Sequence, residues 1–111
     1  MERLPKINSL IKQEISKIIE RYFKIKDTFL TITNVETSPD LRNAKIWISV
    51  FPPAKEEEAL MHLSENASQI QKMLNKKLVM KYVPKISFKI DKTAQKASRV
   101  ENLLKEINNP E

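Results

Sequence analysis

The chain has no cysteine and no glycine among its 111 residues, and His62 is its single histidine. The lack of cysteine excludes disulfides, thiolate metal sites and thiol nucleophiles. The lack of glycine excludes every glycine-rich phosphate-binding loop, and tight turns must use Asn, Asp, Ser and Pro instead. With one histidine and no cysteine, we expect neither a metal site nor a cofactor.

Long apolar runs are missing as well. No apolar stretch approaches the roughly 20 residues that cross a bilayer, and the residues after Met1 do not have the pattern of a signal peptide. We therefore expect a cytoplasmic protein without a membrane contact. Glu56, Glu57 and Glu58 are consecutive, so they point around a helix instead of converging, and a solvated helix start explains them better than catalysis. We expect no enzyme activity and no small-molecule substrate.

Charge is distributed unevenly along the sequence. Residues 1–66 hold ten Lys or Arg and ten Asp or Glu, so residues 67–111 supply the whole net charge of +6. Between Ala67 and Val100, nine basic residues are opposed by Asp91 alone. Segregated positive charge attracts phosphates and favours a polyanionic ligand. The alternative is an ordinary lysine-rich solvated surface.

Apolar periodicity predicts a first helix and then a β-hairpin. Apolar residues at three- and four-residue steps indicate a helix over about 5–22, with one stripe of Leu4, Ile7, Leu10, Ile11, Ile15, Ile18, Ile19 and Tyr22. Residues 29–36 and 43–51 have strand composition, and Thr37-Ser38-Pro39-Asp40 between them has turn chemistry. In the second strand Ala44, Ile46, Ile48 and Val50 alternate with Lys45, Trp47, Ser49 and Phe51.

The later elements follow the same logic. Two helices are predicted after Pro53, with a kink at Asn66, Ala67 and Ser68 because Asn and Ser are disfavoured in helix interiors; one continuous helix is the alternative. A third strand follows Pro84, and a short helix over 100–107 precedes a frayed tail at 108–111. The prediction is a single α+β domain over residues 1–107, in the order α-β-β-α-α-β with a short C-terminal helix.

Four stretches carry a resemblance to a known family. They are Arg3 to Ile19 in the first helix, Thr31 to Ser49 in the hairpin, Val83 to Asp91 around the third strand, and Arg99 to Leu104. On these stretches the chain resembles ribosome-binding factor A along nearly its whole length. The element order, with a three-stranded mixed sheet, is also that of the type II KH domain.

The resemblance implies a function. Members of the family bind the immature small (30S) ribosomal subunit near its central rRNA and assist late maturation of 16S rRNA, often under cold stress. The implied protein is a monomeric, non-catalytic RNA-binding factor. The family's Ala-x-Gly kink falls on Asn66-Ala67-Ser68, its following arginine falls on Gln71 beside Lys72, and a late glycine falls on Ala97, so this chain departs from the pattern there.

Basic residues are the candidate RNA contacts, because phosphate contacts position a domain without reading sequence. The predicted set is Lys72, Lys76, Lys77, Lys81, Lys85, Lys89, Lys92, Lys96 and Arg99. The first three are expected to share roughly one side of a helix. Arg3, Lys6 and Arg42 are accessory candidates.

Three further points concern the hairpin and its surroundings. Asp40 is expected to cap the turn through its side-chain oxygen, and that interpretation is preferred to a functional role. Trp47 and Phe51 could stack bases from an exposed sheet, but packing is the preferred interpretation of an aromatic on a strand. The alternative function is a protein-interaction module that recruits a partner through an exposed sheet edge or an apolar helix face.

Overall fold

The structure is a computed structural model that describes residues 3–93. Its elements are α1 (Arg3–Tyr22), β1 (Phe29–Thr37), β2 (Asn43–Phe51), a 3₁₀ turn (Pro53–Lys55), α2 (Glu56–Glu65), α3 (Ala67–Lys77) and β3 (Lys85–Ile90). The predicted α+β class and element order are confirmed. The predicted terminal helix and tail lie outside the described residues. Within residues 3–93, no helix is long and apolar enough to cross a membrane.

The stripe of α1 packs on the sheet, but it is narrower than the periodicity predicts. Ile11 and Ile15 are completely buried, whereas Leu10 is 50% exposed and Tyr22 is 60% exposed. Tyr22 is the last residue of α1, and Phe23 takes the buried position after it, with its N–H donating to the Ile19 carbonyl at 2.9 Å. Leu10 and Tyr22 therefore belong to the apolar stripe of the sequence but are left exposed in the fold.

The three strands form one mixed sheet in the order β1-β2-β3. β1 is antiparallel to β2, and β2 is parallel to β3, so the parallel pair needs the crossover that α2 and α3 supply. One face is the core face, where the alternating residues Ala44, Ile46, Ile48 and Val50 are buried together with residues of all three helices. The opposite face carries the other residues of the alternation, Lys45, Trp47, Ser49 and Phe51, and we call it the open face.

Two positions in the described chain adopt the left-handed conformation that glycine usually occupies. They are Asp27, with φ 55°, and Leu41, with φ 63°. Asp tolerates this region, while an ordinary side chain pays about 1 to 2 kcal/mol there. Around Leu41 the turn is held by hydrogen bonds: the Leu41 N–H donates to the Ser38 carbonyl at 2.8 Å, and Asp40 Oδ1 accepts from the Arg42 N–H at 3.1 Å. These bonds keep Leu41 in a conformation that it would otherwise avoid.

The structure places the break between α2 and α3 at Asn66, and it contains two helices instead of one continuous helix. Ala67 and Ser68 already lie in the first turn of α3. Asn66 has φ −102° and ψ 9°, a region open to residues other than glycine, so the missing glycine does not prevent the break. Its side-chain Nδ2 and its backbone N–H both donate to the His62 carbonyl, at 2.8 Å and 3.2 Å, so this carbonyl near the end of α2 has two donors.

Candidate nucleic-acid interface

The lysines of α3 are exposed on a helix whose other side is buried. Ile70 and Leu74 are completely buried, and Lys72, Lys76 and Lys77 are exposed. At about 100° per residue, Lys76 projects about 40° from Lys72, but Lys77 projects about 140° from it. Lys72 and Lys76 therefore share one side of the helix, while Lys77 ends the helix and points elsewhere.

The lysines of β3 lie on a different side of the molecule. Lys85 and Lys89 are exposed on the open face, because Ile86 and Phe88 between them are buried in the core. The exposed Lys92 follows the strand. The predicted basic set thus extends around the β3 edge of the sheet instead of forming one flat surface. Lys96, Arg99 and the side chain of Arg3 lie outside what the structure describes.

Three predicted cations from separate parts of the chain converge at one end of the sheet. A cleft of about 920 Å³ is lined by Lys6 of α1, by Arg42 of the hairpin turn and by Lys81 of the segment before β3. We call it the basic cleft; its walls also contain Ile7, Asp40, Leu41, Met80, Tyr82 and Val83. The Lys85 N–H donates to the Arg42 carbonyl at 2.8 Å, which attaches the start of β3 to the turn.

The charges of this region are available to a ligand. Among the described residues, ion pairs join Lys17 to Glu14 and Lys55 to Glu58, and none involves a lysine between 72 and 92. The one acid of the cleft is Asp40, which accepts from Ser38 Oγ at 2.6 Å. That hydrogen bond, followed by the one from the Arg42 N–H, lowers the pKa of Asp40 below its ordinary value. Asp40 is therefore an ionised turn residue, and cations outnumber it three to one around the cleft.

Gln71 joins α3 to the edge strand β3. Its Nε2 donates to the Pro84 carbonyl at 3.0 Å, and its Oε1 accepts from the Ile86 N–H at 2.9 Å. A third bond runs from Nε2 to Asn75 Oδ1 at 3.0 Å. The side chain of Gln71 thus pairs backbone groups beside an edge strand that a further strand would otherwise satisfy. It fixes the helix that carries Lys72 and Lys76 against the sheet.

The aromatic residues of the open face differ from one another. Trp47 is half-buried, and its Nε1 donates to Glu36 Oε1 on the neighbouring strand at 2.6 Å, which fits a packing role. Phe51 is 64% exposed beside its strand partner Phe29, which is 75% exposed. The packing interpretation does not apply to Phe51, because the described helices all pack on the other face of the sheet.

Two other polar residues have structural roles. Asp91 accepts from Thr33 Oγ1 at 2.6 Å and from the Thr93 N–H at 2.9 Å, and these hydrogen bonds lower the pKa of Asp91. This links the end of β3 to β1 across the central strand, a contact that no sequence pattern indicates. His62 Nε2 lies 3.1 Å from the Phe23 carbonyl. In residues 3–93, no three His, Cys, Asp or Glu side chains form a group that could hold a metal ion.

Comparisons with known proteins agree with the resemblance described above. The family model of ribosome-binding factor A matches residues 3–104. The chain belongs to the ribosome-binding factor A family. A member from Halothermothrix orenii is 35% identical over 114 residues, which cover 99% of this chain and 92% of that protein. A member from Opitutus terrae is 32% identical over 107 residues, which cover 96% of this chain and 88% of that protein.

Solved structures of family members share the fold. The crystal structure of ribosome-binding factor A from Thermus thermophilus aligns with a TM-score of 0.69 at 21% identity, over 78% of this chain and 93% of that one. Coordinates of the same factor, fitted into a cryo-electron microscopy map of a 30S complex, align with a TM-score of 0.67 at 22% identity, over 78% and 92%. At these identities the likeness supports the fold.

Proposed function

We propose that this chain binds the immature small ribosomal subunit through 16S rRNA and assists the late maturation of that RNA. The observation that carries the proposal is the convergence of Lys6, Arg42 and Lys81 in one cleft. Family membership and the 30S complex of the Thermus relative support the subunit as partner. We further propose a monomeric, KH-like protein that acts in the cytoplasm, including during cold adaptation.

The proposed action is binding without chemistry. Exposed lysines and Arg42 neutralise phosphates and release their counterions, so the affinity depends on salt and little on sequence. A factor that binds one conformation of the RNA more tightly than another shifts the RNA towards the first by the difference in binding free energy. Such a factor favours a folded state of rRNA without making or breaking a bond.

The reversal of three cations tests the proposal. Replacing Lys72, Lys76 and Lys77 together by Glu places repulsive charges where phosphates are expected, so we expect co-sedimentation with immature small subunits to be lost. The three residues are exposed, so thermal unfolding should be little changed. The matched control replaces Lys12, Lys17 and Arg21 of α1, which are also exposed, by Glu. Unchanged co-sedimentation of the α3 variant, or equal loss in the control, would remove the α3 lysines from the interface.

A groove beside β1 favours a second candidate function. β1 is an outer strand of the sheet, and a groove of about 550 Å³ between it and α1 is lined by Ile19, Phe23 and Leu30 among others. An extended protein segment could add to such an edge and place an apolar side chain in the groove. Binding to subunits that survives high salt and nuclease treatment would support this protein-interaction function, whereas the RNA proposal expects both treatments to release the chain.

A further inference from the structure

Tyr82 is an exposed aromatic residue on the wall of the basic cleft. Its side chain is 76% exposed, although it lies one residue before the partly buried Val83 and two before the buried Pro84. Covering a large aromatic surface that is otherwise exposed to water with a flat apolar partner is favourable. The ring is thus available for stacking in the same cleft where the cations converge.

The cations around this ring suit phosphate. Arg42 carries a planar guanidinium that can bind two phosphate oxygens at once, and Lys6 adds a point charge from another element. The Lys81 ammonium lies 5.6 Å from the centre of the Tyr82 ring, within the range of a cation–π contact. The ammonium lies over one face of the ring, so a base would stack on the other face, with a positive charge held close to its phosphate.

The wall that carries Arg42 is ordered before any ligand binds. Asp40 Oδ1 accepts from both Ser38 Oγ and the Arg42 N–H, and the Arg42 carbonyl accepts from the Lys85 N–H. The backbone on both sides of the guanidinium is therefore fixed to the turn and to β3. Binding to a fixed wall loses less conformational entropy than binding to a mobile loop.

We propose that the basic cleft binds an unpaired nucleotide of RNA, with its base stacked on Tyr82 and its flanking phosphates contacted by Lys6, Arg42 and Lys81. The inference rests on the proposed function and adds to it a preference for unpaired RNA. A paired A-form helix presents phosphates and 2′-hydroxyls but keeps its base faces inside the stack, so it cannot use the ring. The chain should therefore prefer single-stranded RNA to duplex RNA through this cleft.

The first experiment measures affinity for an oligouridylate of about 10 nucleotides, a length within the usual site sizes of single-strand binders. Tyr82→Ala is expected to weaken binding by about 10-fold, within the range that loss of one base–aromatic stack causes. Tyr82→Phe keeps the ring and should stay within about 2-fold of the wild-type chain. The residue is exposed, so neither substitution should change thermal unfolding appreciably.

The second experiment separates stacking from charge. The slope of log affinity against log salt should be unchanged in Tyr82→Ala, because no charge is lost, but it should fall by about 0.7 in Arg42→Gln. Inorganic polyphosphate, which has no bases, should bind wild-type and Tyr82→Ala chains equally. A duplex of the same length should be bound more weakly than the single strand by the wild-type chain.

The outcomes distinguish this inference from the proposed function. If Tyr82→Ala binds oligouridylate as the wild-type chain does, or if duplex and single strand bind equally, the inference is overturned. The proposed function is tested separately, by whether the α3 variant loses subunit binding. If Tyr82→Ala instead loses a nuclease-resistant partner and keeps RNA affinity, the cleft is a protein contact and the inference is also overturned. A 10-fold loss that Tyr82→Phe restores supports it.

Discussion

Gln71 offers the sharpest stability test, because one side chain pairs two backbone groups of an edge strand. Gln71→Ala removes the bonds to the Pro84 carbonyl and the Ile86 N–H, and also the bond to Asn75. A typical hydrogen bond contributes about 0.5 to 1.5 kcal/mol net, and Pro84 is buried, so its carbonyl is poorly placed to find water. We expect the free energy of unfolding to fall by about 2 kcal/mol.

Denaturant unfolding measures this change, with the midpoint falling and the slope constant if the native state is otherwise intact. Gln69→Ala is the matched control: Gln69 is an exposed residue of the same helix, and alanine is the better helix former, so stability should stay the same or rise slightly. A loss below about 0.5 kcal/mol in Gln71→Ala would show that these bonds are not what attaches α3 to β3.

Two further substitutions test the helix break and the link between β3 and β1. Asn66→Gly removes the side-chain bond to the His62 carbonyl, which still accepts from the backbone N–H of residue 66, and it adds the conformational entropy of glycine to the unfolded chain. Thermal unfolding should therefore show a loss of about 1 kcal/mol; a gain would mean that the break favours glycine. The pKa of Asp91 in the folded chain lies below its ordinary value of 3.8, so the ionised carboxylate stabilises the fold. This stabilisation is complete above pH 3.8 and is lost as the pH falls through the folded-state pKa. The stability difference between the wild-type chain and Asp91→Asn should be largest near neutral pH and shrink in acid; a difference independent of pH would refute the link.

Elements with one buried face could be predicted from the sequence. The alternation of β2 predicts its bounds, Asn43–Phe51, because a strand with one face in the core must repeat every two residues. The helical stripe of α1 predicts the element and its end at Tyr22, but not the exposure of Tyr22 itself. Periodicity shows which side of a helix is apolar, whereas the position of neighbouring elements decides where burial stops.

The candidate site could be predicted only as a set of cations. Charge segregation points to the lysines after Ala67, but the convergence of Lys6, Arg42 and Lys81 depends on how three distant segments pack. Gln71 and Tyr82 have no sequence signature for their roles, since a glutamine that pairs an edge strand and an exposed tyrosine look like ordinary surface residues until the fold places them. The hydrogen bond between Thr33 and Asp91 across the central strand likewise has no signature in the sequence, because it depends on how the strands are placed.

The salt dependence of binding to immature small subunits tests the central claim most directly. If the α3 lysines contact phosphates, each contact contributes about 0.7 to 0.9 to the slope of log affinity against log salt. Replacing Lys72 and Lys76, which share one side of α3, by Gln should then reduce the slope by about 1.4 to 1.8, while replacing Lys17 and Arg21 of α1 by Gln should leave it nearly unchanged. Equal slopes for the wild-type chain and the α3 variant would contradict the claim that these cations bind rRNA.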